Sequence, residues 1–213
     1  LIVLYDIIQT GSIIPDFMPF KYIINGILKG FAMIFGKNVV LRTIYSHEVE
    51  HVYALISNIN TKGRYWHLSF PSSGEFIKEF NRTGFWNIDE GRMLILSHQG
   101  EYIGEILYFR GLEYQSGYEV GYELFSPQYQ GRGYMSEALL LFCAYMFSIR
   151  PINRIQVNMM EGNIASERVA EKCGFTYEGT MRKATFNQGK YHNLKLYSLL
   201  REECPPLESL IIK

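Results

Sequence analysis

The eight residues Gln128-Tyr-Gln-Gly-Arg-Gly-Tyr-Met135 constrain the fold more than any other stretch of this chain. They lie between an alternating, strand-like run (Gly117-Tyr-Glu-Val-Gly-Tyr-Glu-Leu-Phe125) and an apolar helix candidate over 136–147. A chain that passes from strand to helix through two glycines turns tightly and leaves its backbone bare. Gly131 and Gly133 carry no Cβ, so the main chain can curl and approach a ligand closely. The first amides of the helix lack intrahelical partners, and the helix dipole adds partial positive charge there. Arg132 sets a full cation in the same loop. Strand, loop and helix together predict an anion cradle suited to a pyrophosphate.

The spacing excludes two other phosphate binders. No Lys-Ser/Thr pair follows the glycines, so the loop is not a P-loop. A dinucleotide fingerprint would need a third glycine where Ser136 stands, and an early βαβ position.

Around this loop the chain reads as strands over 39–44, 93–97, 102–109, 118–125 and 154–160, with two more joined through Asn187-Gln-Gly-Lys190. Residues 154–160 alternate, with Ile155, Val157 and Met159 against Gln156 and Asn158, which predicts a half-buried strand. Helices are expected over 46–57, with Ser46 as N-cap and Glu48 and Glu50 in the first turn. Others are expected over 73–80, 136–147 and 163–173. The order β-α-α-β-β-β-α-β-α-β-β gives an α/β (α+β) domain with one mixed, mainly antiparallel central sheet flanked by about four helices. Residues 33–204 form that domain, and 205–213, after Pro205-Pro206, are expected to be a tail.

The 213 residues are 47% hydrophobic, enough for one sizeable core. Lys+Arg and Asp+Glu both total 21, so no overall field recruits nucleic acid or an acidic membrane. Three cysteines (Cys143, Cys173, Cys204) without metal-like spacing favour a reducing, cytoplasmic setting and no metal. Residues 1–32 have neither the uninterrupted apolar length of a membrane span nor the plan of a signal peptide. They are expected to link to an upstream fused domain.

One motif points elsewhere. His47-Glu48-Val49-Glu50-His51 satisfies the zinc-hydrolase pattern His-Glu-x-x-His, with Glu75 available as a third ligand. The helical stripe Val49, Val52, Tyr53 and Ile56 predicts otherwise. At about 100° per residue both histidines lie opposite it and face water.

Several motifs in order carry a family resemblance. Gln128-x-x-Gly131-x-Gly133 resembles the acetyl-CoA pyrophosphate loop of the GNAT acetyltransferase superfamily. Asn163-Ile-Ala-Ser166-Glu-Arg168-Val-Ala-Glu-Lys172-Cys-Gly174-Phe175 is similar to a signature of its RimJ/RimL type, the ribosomal-protein N-terminal acetyltransferases. Tyr177-Glu-Gly-Thr-Met-Arg182 and Tyr197-Ser-Leu-Leu200 resemble that type's ending, and Gly36-Lys-Asn-Val-Val-Leu-Arg42 its opening. The resemblance runs over residues 33–201.

It implies direct transfer of an acetyl group from acetyl-CoA to a primary amine, either a protein N-terminus or a small molecule. The cofactor would contact Gln130, Gly131, Arg132, Gly133, Tyr134 and Met135 at the loop, Leu124, Phe125 and Ser126 on the strand before it, and Asn163 and Ser166. Its pantetheine would run between strands 117–125 and 154–160. Tyr118-Glu-Val-Gly-Tyr122 resembles the Ala-Glu-Ile-Gly-Tyr strand of the family and makes Glu119 the candidate base; Ser166 is the candidate acid. Two positions depart from the pattern: Thr185 where some relatives place a basic-acting Glu, and Asn193 where they often show Asp. These departures bear on the identity of the acceptor, not on acetyl-CoA binding.

Tyr65, Trp66, Phe70, Phe76, Phe80, Phe85 and Trp86 crowd the segment that walls the acceptor cleft in this family. Trp66, Phe80 and Trp86 are therefore expected to contact the acceptor. As a stacking platform they would suit an aminoacyl-nucleotide, as in microcin self-immunity acetyltransferases. The readings from other classes are a non-catalytic acyl-CoA-binding module and the zinc hydrolase. Both a monomer and a homodimer are compatible with the sequence.

Overall fold

The structure is a computed structural model that describes residues 33–66, 71–111 and 117–212. The expected upstream linker (1–32) and the aromatic Phe70 lie outside the described residues. An eight-stranded sheet runs in the order β1-β2-β3-β4-β5-β6-β8-β7. Its strands are β1 (Met33–Phe35), β2 (Val40–Arg42), β3 (Glu90–Leu96), β4 (Tyr102–Arg110), β5 (Gly117–Leu124), β6 (Arg154–Met160), β7 (Thr176–Asn187) and β8 (Lys190–Leu200). Every neighbouring pair is antiparallel except β5 and β6, which are parallel. Parallel strands need a crossover, and α3 (Tyr134–Ile149), the helix after the glycine loop, supplies it. The other α-helices among the described residues are α1 (Val49–Ile56), α2 (Ser73–Thr83) and α4 (Ile164–Lys172). No described helix is long and apolar enough to cross a membrane.

Strand alternation puts successive side chains on opposite faces of the sheet, and each face has its own core. Ile106, Tyr108, Tyr118, Val120, Ile155 and Val157 are buried against Leu139, Phe142 and Met146 of α3 and Ala170 of α4. Leu94 and Leu96 are buried on the other face with Val49, Val52 and Ile56 of α1, Phe76 of α2, and Phe85. Gly91 is placed by close approach: a Cβ there would stand 2.7 Å from the Tyr108 ring and 2.9 Å from that of Trp86. Gly91→Ala is expected to lower stability by about 1–3 kcal/mol, read by urea denaturation.

Several elements differ from the sequence expectation. β1 was not expected, since three residues (Met-Ile-Phe) show too little alternation to register. α2 and α3 run past their expected ends, to Thr83 and Ile149. Ser46 does not cap α1. A 3-10 turn over Ser46–Glu48 starts at Tyr45, whose amide donates to the Glu48 carboxylate at 2.8 Å. The expected tail is packed: Leu207, Leu210 and Ile211 lie against the first core, and the Ile212 amide donates to the Phe35 carbonyl at 2.9 Å.

The zinc motif resolves into a structural pair. His47 and His51 are exposed, as the helical phase requires, while Glu48 between them is buried. Its carboxylate accepts from both Arg42 Nη atoms at 2.5 and 2.9 Å and from the Tyr102 hydroxyl at 2.6 Å. A carboxylate so engaged has no capacity left to activate a water.

Candidate active site

β5 and β6 pair at Gly117↔Arg154, Tyr118↔Ile155 and Glu119↔Gln156, and there the ladder between them ends. β5 remains bonded to β4 as far as Leu124↔Gly104, and β6 to β8 as far as Met160↔Leu194. The sheet therefore opens into a wedge beyond Glu119, with one lip from each strand. Backbone amides and carbonyls at such lips need partners, and an extended ligand with amide groups, such as a pantetheine arm, can supply them.

The glycine loop stands at the β5 side of this wedge. Gly131 (φ +71°) and Gly133 (φ +82°) both adopt the left-handed conformation that L side chains rarely take, and no atom of the described residues lies within 4 Å of a Cβ built on either. The open space they leave faces the start of α3. The helix's own bonding begins with the Glu137 amide donating to the Gly133 carbonyl at 3.1 Å, so the amides of 134–136 come before it. Glu137, the acid in this first turn, accepts from the Asn38 amide and Nδ2 at 2.8 and 2.7 Å. Gln130, Gly131, Arg132 and Gly133 are exposed. The Met135 and Phe125 side chains are buried, so only their backbones can serve a ligand. Ser126 is committed locally, its hydroxyl accepting from the Gln128 amide at 3.4 Å, and Leu124 packs partly on the first core. These residues fit a pyrophosphate. Gly131→Trp, which fills the cradle and strains the turn, is expected to weaken acetyl-CoA binding by at least about 100-fold in calorimetry, since it removes charge-assisted bonds.

Glu119 sits at the point where the strands part. Its Oε2 accepts from Asn158 Nδ2 at 2.7 Å and from Gln156 Nε2 at 3.2 Å. Burial pushes its carboxyl above the ordinary value, and the two amides only partly offset this. Gln156 is steadied by Arg154, which donates to its Oε1 at 3.4 Å and makes two 2.6 Å bonds with Glu178. Asn163 caps α4 by accepting from the Ser166 amide at 3.3 Å. The Tyr122 hydroxyl reaches from β5 to the Ser166 carbonyl at 3.3 Å, which brings the first turn of α4 to the wedge.

The face that carries Glu119 also holds buried charges that sequence reasoning missed. Glu105 and Glu123 stand directly opposite each other on β4 and β5. Each has a cation: Arg92 at 2.8 Å from Glu105, and Lys62 in a close ion pair with Glu123. Burial and the Glu105 charge push the Glu123 carboxyl up to about 7. Beside them a cleft of about 310 Å³ is lined by Phe76, Phe85, Arg92, Leu107 and Phe109, with Glu75, Glu79 and Glu90 also on its wall. Alternation in β4 and β5 could have grouped these glutamates, but nothing in the sequence links them to Arg92 or Lys62.

The expected aromatic platform divides. Phe76 and Phe85 are core residues 4.5 Å apart, and Phe80 meets Phe85 edge-on at 5.6 Å. Trp66 covers Lys62 at 4.6 Å. Trp86 is half-buried and packs edge-on to Tyr108 and beside Tyr145 of α3, against the first core. Thr185 pairs with His192, and Asn193 braces a bulge in β7 by accepting from the Lys183 amide at 2.9 Å.

An opened mixed sheet with a glycine-lined anion cradle beside the gap defines an acyl-CoA-type transferase. The chain belongs to the GNAT acetyltransferase family: the model of the acetyltransferase (GNAT) domain matches residues 38–176. It is an N-acetyltransferase by that membership. Among relatives, it is 27% identical to the uncharacterized N-acetyltransferase YnaD of Bacillus subtilis, over 78% of this chain and 96% of that protein. It is 24% identical to the ribosomal-protein-serine acetyltransferase of Escherichia coli, over 76% and 93%. The fold matches spermidine N-acetyltransferase from Vibrio cholerae in complex with CoA and spermine, with a TM-score of 0.66, 22% identity, and coverage of 78% and 96%.

Proposed function

We propose that the protein moves the acetyl group of acetyl-CoA directly to a primary amine that arrives protonated, with Glu119 as the base that removes its proton. The observation that carries this is Glu119 itself, held by Gln156 and Asn158 at the point where β5 and β6 separate. An α-amino group has a pKa of about 8 and a lysine about 10.4, so the amine needs a base at neutral pH. A carboxylate raised by burial is better matched to that task than a solvated one. Bound acetyl-CoA supplies the thioester carbon. Gly131, Arg132, Gly133 and the α3 amides hold its pyrophosphate, and the lips of β5 and β6 hold its pantetheine. Ser166, in the first turn of α4, is the candidate proton donor to the departing sulfur.

Glu75 and Glu90 beside the cleft favour an acceptor with a second positive charge, while Glu79 is already paired with Arg82 at 2.6 Å. Small polyamines fit that description, and the spermidine and ribosomal-protein enzymes among the relatives act on amines. The aminoacyl-nucleotide reading draws less support, because Phe76, Phe85 and Trp86 are spent on packing.

The test is thiol release from acetyl-CoA against polyamines, N-terminal ribosomal peptides, aminoglycosides and stable aminoacyl-adenylate analogues. Turnover is expected with polycationic primary amines. Tight acetyl-CoA binding without turnover on any of the four classes would instead support a non-catalytic acyl-CoA-binding module.

A further inference from the structure

Asn158 and Gln156 both hold Glu119, yet their other ends differ. Gln156 Oε1 is taken by Arg154 at 3.4 Å, whereas Asn158 Oδ1 is buried with no hydrogen-bond partner among the described residues. The orientation of the Asn158 amide is fixed chemically. A carboxylate only accepts, so the amide must turn its Nδ2 to Glu119, at 2.7 Å, and its oxygen away. Buried carbonyl oxygens are nearly always satisfied, and one left open beside a candidate base calls for a donor that arrives later.

We infer that Asn158 Oδ1 is the second anchor of the acceptor amine and restricts the enzyme to primary amines. This rests on the reading of Glu119 as base. A primary ammonium has three N–H groups. One proton passes to Glu119, directly or through one water, and frees the lone pair. The lone pair forms the C–N bond to the thioester carbon as the C–S bond breaks, and a second amine proton leaves with the thiolate. One N–H remains in the product amide, and Asn158 Oδ1 holds it from start to finish. An N-methylated amine gives up both of its protons and leaves this oxygen empty. The lone pair of a primary amine is thus aimed by two bonds, that of a secondary amine by one.

The experiment compares kcat/KM for an accepted polyamine with that for its terminally N-methylated form, in the wild type, Asn158→Leu and Gln156→Leu. The wild type is expected to prefer the primary amine by at least about tenfold. Asn158→Leu is expected to bring that ratio to near one. Both variants remove a hydrogen bond from the Glu119 carboxylate, so both should shift the acid limb of the pH profile upward. Gln156→Leu should keep the preference, since its oxygen is already occupied. Glu123, with its own carboxyl up to about 7, and the Arg92–Glu105 pair share this face but are unchanged in both variants. If Asn158→Leu does not fold, Asn158→Ala carries the same comparison. A wild-type preference retained in the Asn158 variant overturns the inference. Full activity in Glu119→Gln, with the preference lost in Asn158→Leu, would remove the base and leave the amine anchor standing.

Discussion

Glu119→Gln is expected to lower kcat/KM for the accepted amine by about 10²–10⁴-fold near neutral pH, the usual contribution of a positioned base. Acetyl-CoA affinity should be unchanged, because the cradle at Gly131 and Gly133 lies at the far end of β5. The substitution keeps volume and the capacity to accept from Asn158, so stability is read separately by denaturation. Glu119 is held above its ordinary pKa by burial, against two opposing amide bonds. A carboxyl raised in the folded state contributes stability below its unfolded pKa, and loses that contribution as pH rises through the folded value. Activity needs the opposite, deprotonated form. The pH profile should therefore gain activity over the range in which Glu119 ceases to favour folding. Activity in the glutamine variant within threefold of wild type, across pH, would sink the assignment.

Glu48→Ala is expected to cost about 3–5 kcal/mol, the penalty for stranding one member of a buried ion pair. Arg42 and Glu48 are 2% and 4% exposed, and the guanidinium also lies 3.9 Å over the Tyr45 ring. Loss of Glu48 would leave a cation sealed between β2 and α1. Burial alone would raise the Glu48 carboxyl, but the bonds from Arg42, Tyr102 and Tyr45 outweigh it and hold the group below its ordinary value. Its contribution is therefore present above the unfolded pKa of about 4.3 and is lost as pH falls through the lower folded value. Urea titrations at neutral and acid pH read both effects. A loss under about 1 kcal/mol at neutral pH would mean the pair is not sealed as described. His47→Ala, on the exposed side of the same turn, should change stability by less than about 0.5 kcal/mol.

The glycine loop and the strands beside it were legible because backbone freedom, alternation and the helix start all pointed the same way. Glu119 was legible only through the family resemblance of its strand. Its partners were not, since Gln156 and Asn158 fall on the polar side of an alternating strand and read as solvated. The polar groups on that face are engaged with Glu119 and Arg154, and alternation cannot separate a bonded polar face from a solvated one. Glu48 was assigned to a helix dipole because its partner Arg42 precedes the turn, and a buried charge pair has no periodic signature. Trp86 illustrates the same gap for apolar groups: its ring packs toward α3, which no local pattern announces.

Glu119 belongs to one half of the sheet and both of its amide holders to the other. Between those halves the seam is three residue pairs long. The 2.7 Å bond from Asn158 to Glu119 thus spans the narrow end of the gap, as the arms of a caliper do. A ligand that forces the lips apart by an ångström would break this bond, and one that draws them together would tighten it. In the proposed reaction, the width open to acetyl-CoA and the placing of Glu119 against the amine are consequently set by a single dimension of the sheet.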